Sequence, residues 1–184
     1  KTRSRQNMRD SIEKFDLALA KDVRFALAHV GIADAYNQLV RYGFSPSLVS
    51  YPKAKLELEK ALELNDKLPE AHASLGYIHY DFDWDWQTAE SSLRKAISLN
   101  PNYPEARRWL SHVHLMRGHM REAFEEIEMG IRLDHNSANM LQTKAFYLLV
   151  TSQLDDAIEI ANMAIEMNPK FHKAYYRKGT ALAR

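Results

Sequence analysis

Apolar and small residues recur along this chain at spacings of three and four. His72, Leu75, Gly76 and His79 form one such row, and Leu141, Ala145 and Leu148 another. Ala54, Leu58 and Ala61 repeat the spacing, as do Ala157, Ala161 and Ala164. This is a helical period, not a strand period. The pattern itself also repeats. PEAHASLGYIH from Pro69 returns as PEARRWLSHVH from Pro104, 35 residues on. LEKALELND (58–66), LRKAISLNP (93–101), IEMGIRLDH (127–135) and ANMAIEMNP (161–169) superpose at offsets of 35, 34 and 34, with FDLALAKDV (15–23) the earliest copy. Such a period predicts units that stack on their neighbours to bury a shared core.

Each period reads as two helices. Small residues stand where the two must approach: Ala33, Gly76, Ser111, Ala145 and Gly179 in the first helix, and Ala18, Ala61, Ala96, Gly130 and Ala164 in the second. A larger side chain there would separate the backbones, at roughly 1–3 kcal/mol. Asn100-Pro101 and Asn168-Pro169 end helices, because proline lacks an amide donor and disfavours helix before it. Gly118 and Thr151-Ser152 mark turns within two units.

On these residues the chain resembles tetratricopeptide repeats. The bulky position of that pattern carries His29, His72, Arg107, Leu141 and Tyr175, and its leucine position Ile32, Leu75, Leu110, Lys144 and Lys178. The tyrosine position carries Tyr36, His79, His114, Leu148 and Leu182, and the second-helix alanine is Ala54, Ala89, Ala123 and Ala157. The aromatic position carries Phe15, Leu58, Leu93, Ile127 and Ala161. The resemblance implies an all-α fold, a right-handed solenoid of antiparallel helix pairs, forming a single domain over 1–184. Its register gives a partial repeat at about 8–22, full repeats at 26–68, 69–103, 104–137 and 138–171, and a partial repeat at 172–184. Starting and stopping in mid-repeat, without an initial Met, reads as an excerpt of a longer protein.

Two irregularities interrupt the register. The first full repeat is nine residues longer than 34, with the excess near Arg41–Pro52. It reads either as a covering loop or as a contact surface, since insertions in solenoids often line a binding face. The second carries Tyr80-Asp81-Phe82-Asp83-Trp84-Asp85-Trp86 with one extra residue. That run is expected to be a turn with both tryptophans packed on neighbouring helices, the alternative being exposed anchors. The inserted repeat and this turn resemble tetratricopeptide portions of bacterial transcription regulators and adenylate cyclase-like signalling proteins. The resemblance implies a regulatory module beside an effector domain, in the cytoplasm.

Composition narrows the chemistry. Lysine plus arginine number 25 against 24 acids, so no strong pull toward nucleic acid follows. The basic start at Lys1, Arg3, Arg5 and Arg9 is followed by Asp10, Glu13 and Asp16. There are no cysteines, which excludes disulfides, thiol nucleophiles and thiolate metal sites. Apolar runs are too short for a membrane span. His112 and His114 point to different sides of a helix, and His29, His72, His79 and His114 fall on packed positions of the repeat, so metal ligation is not expected. No HExxH motif, phosphate loop or GxSxG elbow occurs. The chain is therefore expected to be no enzyme, with no cofactor.

The resemblance points instead to a groove on the inner side of the first helices, taking a protein or peptide. Carried over, its positions are Val30, Asp34 and Asn37; Ala73, Tyr77 and Tyr80; Arg108, His112 and Leu115; Gln142, Phe146 and Leu149; then Tyr176 and Thr180. Aromatic residues would pack on the guest, and Arg108 would meet a carboxylate or carbonyl. The alternative is a stripe that curls inward and is covered. The lysine and asparagine of the carboxylate-clamp co-chaperones are replaced by Val30 with Asp34, Ala73 with Tyr77, Arg108 with His112 and Gln142 with Phe146, so a chaperone-tail clamp is not expected. The competing classes are a dimerisation or domain-spacing module and a small-ligand sensor near Tyr77, Arg108 and His112.

Overall fold

The computed structural model describes residues 4–184, so Lys1 and Arg3 of the basic start lie outside the described residues. The fold is an all-α repeat of helix pairs, with no strand among the described residues. It divides into two compact units, Lys1–Pro101 and Asn102–Arg184.

The first unit holds α1 (Arg5–Lys21), α2 (Ala26–Arg41), α3 (Ser47–Leu64), α4 (Pro69–Ile78), a π-helical turn (His79–Asp83) and α5 (Trp86–Leu99). Local chemistry starts these helices. Ser4 caps α1 by accepting from the Asn7 amide at 3.1 Å, and Asp85 caps α5 by accepting from the Thr88 amide at 3.0 Å. Pro69 opens α4, where its missing amide would have had no partner anyway. The helices pair in sequence, α1 on α2, α2 on α3 and α4 on α5, with α2 also packing on α4. Leu58 and Leu93 are wholly buried between them, each contributing about 1.5–3 kcal/mol. Close approach is built from glycine. The Phe15 ring occupies the space beside Gly31, and Leu93 does the same beside Gly76.

The second unit holds α6 (Pro104–Met116), α7 (Met120–Leu133), α8 (Ala138–Val150), α9 (Leu154–Met167) and α10 (His172–Leu182). Its core centres on Ile127, Met140 and Tyr147, with Leu115, Phe124 and Phe146 packed against them. Further clusters join Leu148, Leu149 and Ala157, and Leu141, Ala164 and Ala174. Lys144, on the family's leucine position, pairs with Glu128 at 2.5 Å rather than opening the core. Gly179 departs from expectation. A Cβ there would meet nothing within 4 Å, so no helix approaches it closely.

The turns inside three repeats share one design. The amides of Phe44, His119 and Gln153 bond the carbonyls of Leu39, His114 and Leu148, five residues back, at 2.8–2.9 Å. The residue before each has positive φ: Gly43 at 69°, Gly118 at 77° and Ser152 at 61°. The 69–103 repeat closes the same way with one more residue. The Asp85 amide bonds His79 O, six back, and Trp84 takes the positive φ of 58°. The extra residue is thus absorbed as a π-helical turn. Trp84 is consequently 75% exposed, correcting the expectation that it packs on a neighbouring helix, while Trp86 is half-buried at the start of α5.

Candidate functional site

The groove positions fall on α2, α4 and, for Tyr80, the π-helical turn in the first unit, and on α6, α8 and α10 in the second. In the first unit Val30 and Ala73 are buried and present little surface. Asp34 accepts from the Ser74 hydroxyl at 2.5 Å. Burial raises its pKa above the usual carboxylate range, the Ser74 bond works against this, and the Glu70 charge adds to it. Asn37, 5% exposed, leaves its Oδ1 without a hydrogen-bond partner among the described residues. Tyr77 lies edge-on to Tyr51 at 6.5 Å, and the Arg41 guanidinium stands over its ring at 5.7 Å. Tyr51, buried on α3, donates to Asp81 Oδ2 at 2.5 Å, and burial together with that bond pushes its phenol pKa far up. Tyr80 is half-buried.

In the second unit Arg108 is only 7% exposed, and the Nε–Nη2 edge of its guanidinium donates to both carboxylate oxygens of Glu105 on the same helix. Its charge is therefore already matched, and a guest carboxylate would have to displace Glu105. Arg108 Nη1 also reaches His112 Nε2 at 3.3 Å. Because a guanidinium can only donate, His112 Nε2 accepts there, and its Nδ1–H donates to Tyr147 Oη at 3.0 Å. The Tyr147 hydroxyl then donates to Ser111 Oγ at 2.8 Å, and Ser111 donates to Arg108 O at 2.7 Å. These bonds link Arg108, His112, Tyr147 and Ser111 in one run that returns to the α6 backbone. Leu115 and Leu149 pack in core clusters.

Gln142 Nε2 donates to Thr143 Oγ1 at 3.1 Å, and that hydroxyl donates onward to Asn139 O. This fixes the amide so that Gln142 Oε1 is buried without a partner. The Phe146 ring carries the Arg177 guanidinium at 4.3 Å, and burial lowers the Arg177 pKa below its usual value. Tyr176 is exposed, and Thr180 bonds back to Tyr176 O at 2.8 Å.

The sequence alone does not single out Ser74, Glu105 or Arg177. Glu105 carries a signal, since residues three apart on a helix are neighbours. Ser74 and Arg177 meet residues distant in sequence and leave no local trace. Three of the eight histidines are held by neighbours: His29 Nδ1 meets Glu57 at 2.6 Å, His79 Nδ1 meets Asp83 at 2.7 Å, and His72 Nε2 meets Asp66 O at 2.9 Å. Among the described residues no group of three or more His, Cys, Asp or Glu is placed to hold a metal, and no helix is long and apolar enough to cross a membrane.

Residues 85–145 match the family model of a tetratricopeptide repeat. No curated protein matches the sequence. A thermophilic TPR protein of Thermus thermophilus, TTC0263, superposes with a TM-score of 0.76 at 19% identity, over 94% of this chain and 89% of that one. YrrB, a TPR protein with an unusual peptide-binding site, gives 0.62 at 22%, over 95% and 84%. Human IFIT1, solved as a dimer with PPP-AAAA, gives 0.80 at 16%, over 98% of this chain and 42% of its own. Residues 85–145 thus match a tetratricopeptide repeat model, within a chain whose helix pairs share the fold of solved tetratricopeptide repeat proteins over nearly all its length.

Proposed function

We propose that this chain is a noncatalytic scaffold that binds extended protein segments on its first helices, each unit offering a row of its own. The observation carrying this reading is a pair of buried amide oxygens, Asn37 Oδ1 in the first unit and Gln142 Oε1 in the second. Both lie on the predicted row and both lack a partner among the described residues. An unsatisfied buried acceptor costs about 1–3 kcal/mol. Uncovered by a shift of the neighbouring side chains, each oxygen would accept the backbone N–H of a bound peptide. Tyr77 and Phe146 offer aromatic faces on the same rows, and the likeness to YrrB, with its peptide-binding site, points the same way. A regulatory place beside an effector, as in bacterial signalling or transcription proteins, is the finer form of the proposal and rests on the inserted first repeat and the 80–86 turn.

The test is affinity capture from the source lysate, comparing the native chain with an Asn37→Leu/Gln142→Leu variant. Both changes remove an acceptor while keeping bulk, so the helical signal should stay. The captured protein should be lost. Equal capture by the variant would reject this row as the binding surface.

A second reading is self-association through α10, whose Tyr175, Tyr176 and Leu182 are exposed. Tyr175→Glu should then abolish a concentration-dependent rise in mass, whereas the Asn37/Gln142 variant should not.

A further inference from the structure

The lengthened first repeat and α1 together line a half-open cavity of about 480 Å³ in the first unit, bounded by α1, α2, the turn after α2 and the first turns of α3. It is separate in character from the row of first-helix residues above. Its volume falls in the range of small-molecule sites, roughly 300–1,000 Å³. Its apolar lining comes from Ile12, Leu39 and Phe44. Its charged lining is one-sided: Arg5, Arg9 and Lys53 against the single carboxylate Glu13. Arg5 and Arg9 stand one turn apart on the same face of α1. None of the three cations has a carboxylate within ion-pair distance among the described residues; Lys53 instead stands 5.7 Å from the Tyr36 ring centroid.

Two features of the turn add donors without adding negative charge. α3 starts at this cavity with no acidic residue in its first turn and no side-chain cap, so the positive end of an 18-residue helix is left uncompensated. The Ser50 hydroxyl donates to Ser45 Oγ at 2.7 Å, leaving the Ser45 proton for another acceptor. The Arg41–Pro52 insertion therefore forms a wall of this cavity. Gly43 sets its bend and Phe44 follows inward.

We infer that this cavity is a binding site for a small amphipathic organic anion, its head held by Arg5, Arg9 and Lys53 and its apolar body against Ile12, Leu39 and Phe44. A bare inorganic anion would leave the apolar lining unfilled, and a neutral hydrocarbon would leave the cations unmatched. The site stands whether or not the first helices bind a peptide.

Isothermal titration of the full chain with octanoate tests it, with 1-octanol and inorganic phosphate as comparison titrants. Octanoate should bind saturably at one site per chain, and both comparison titrants about tenfold or more weaker. Arg9→Glu/Lys53→Glu reverses two exposed charges and should weaken octanoate about tenfold or more. Arg9→Gln, which only neutralises, should fall between, and circular dichroism should show native helicity in both variants. No saturable octanoate binding, equal binding of phosphate, or unchanged affinity in the folded double variant would each overturn the assignment.

Discussion

Ser74 on α4 donates its hydroxyl to Asp34 Oδ1 on α2 at 2.5 Å, joining the first helices of two successive repeats through a carboxylate kept largely from water. Burial raises the Asp34 pKa above that of an exposed aspartate. Between the two values the folded chain holds a proton that the unfolded chain has lost. Stability from this group is therefore present below the ordinary pKa and falls as pH rises through the folded value. Asp34→Asn keeps an acceptor for Ser74 and removes the charge. It should melt at higher temperature near neutral pH and flatten the fall of Tm with pH above about 4, the ordinary aspartate value. An unaltered slope would assign that dependence to other groups.

Gly76 and Gly179 occupy the same register position in different surroundings. A Cβ on Gly76 would lie 2.6 Å from Leu93 Cγ and 3.2 Å from Ala89 O, whereas one on Gly179 would lie in open space. Gly76→Ala should destabilise by about 1–2 kcal/mol, the overpacking cost less the helical gain of alanine. Gly179→Ala should stabilise by about 0.5–1 kcal/mol. Urea unfolding of the two single variants checks the opposite signs.

The shared turn makes a further pair. Ser152 holds φ of 61° where Gly118 holds 77°. Gly118→Ala should cost about 1 kcal/mol. Ser152→Gly should gain about 0.5 kcal/mol, the relief of the left-handed conformation exceeding the added freedom of the unfolded chain. Equal effects in both would show that the turn conformation is not what limits stability here.

Tyr147 is fully buried, and its hydroxyl joins His112 to Ser111. Tyr147→Phe leaves those partners short of a bond and should cost about 1–3 kcal/mol. Combining it with Ser111→Ala should cost less than the sum of the single changes, because both act on one bond. An additive double-mutant cycle would mean that the Ser111–Tyr147 contact contributes nothing.

The helix pairs and most close approaches are legible in the sequence because a repeat writes its packing code several times. Gly76 beside Leu93 follows from spacing alone. Gly179 does not, since the partner facing Gly76 is the second helix of the same repeat, and among the described residues no side chain or backbone stands within 4 Å of a Cβ at Gly179. Trp84 defeats the pattern because its exposure is set by backbone φ at the turn, which the alternating Asp and aromatic residues disguise. Arg108 reads in the sequence as an available cation. Its engagement by Glu105 needs only a three-residue spacing to foresee, but its tie through His112 to Tyr147 needs the fold. The candidate row is legible as positions only. Whether a position offers surface, as Tyr176 does, or is sealed in the core, as Val30 and Leu149 are, depends on neighbours contributed by other helices.

The π-helical turn at His79–Asp83 separates the length of a repeat from the placement of its second helix. The surplus residue widens one turn, and α5 still begins where Asp85 can cap it. One codon can therefore be gained or lost at this point in evolution without compensating substitutions elsewhere. A chain shortened by one residue there has a ready alternative in the tighter closure its sister repeats already use. The match to the tetratricopeptide model begins at residue 85, immediately beyond this turn, as expected where a fixed-period pattern meets a unit whose count, but not whose geometry, has changed.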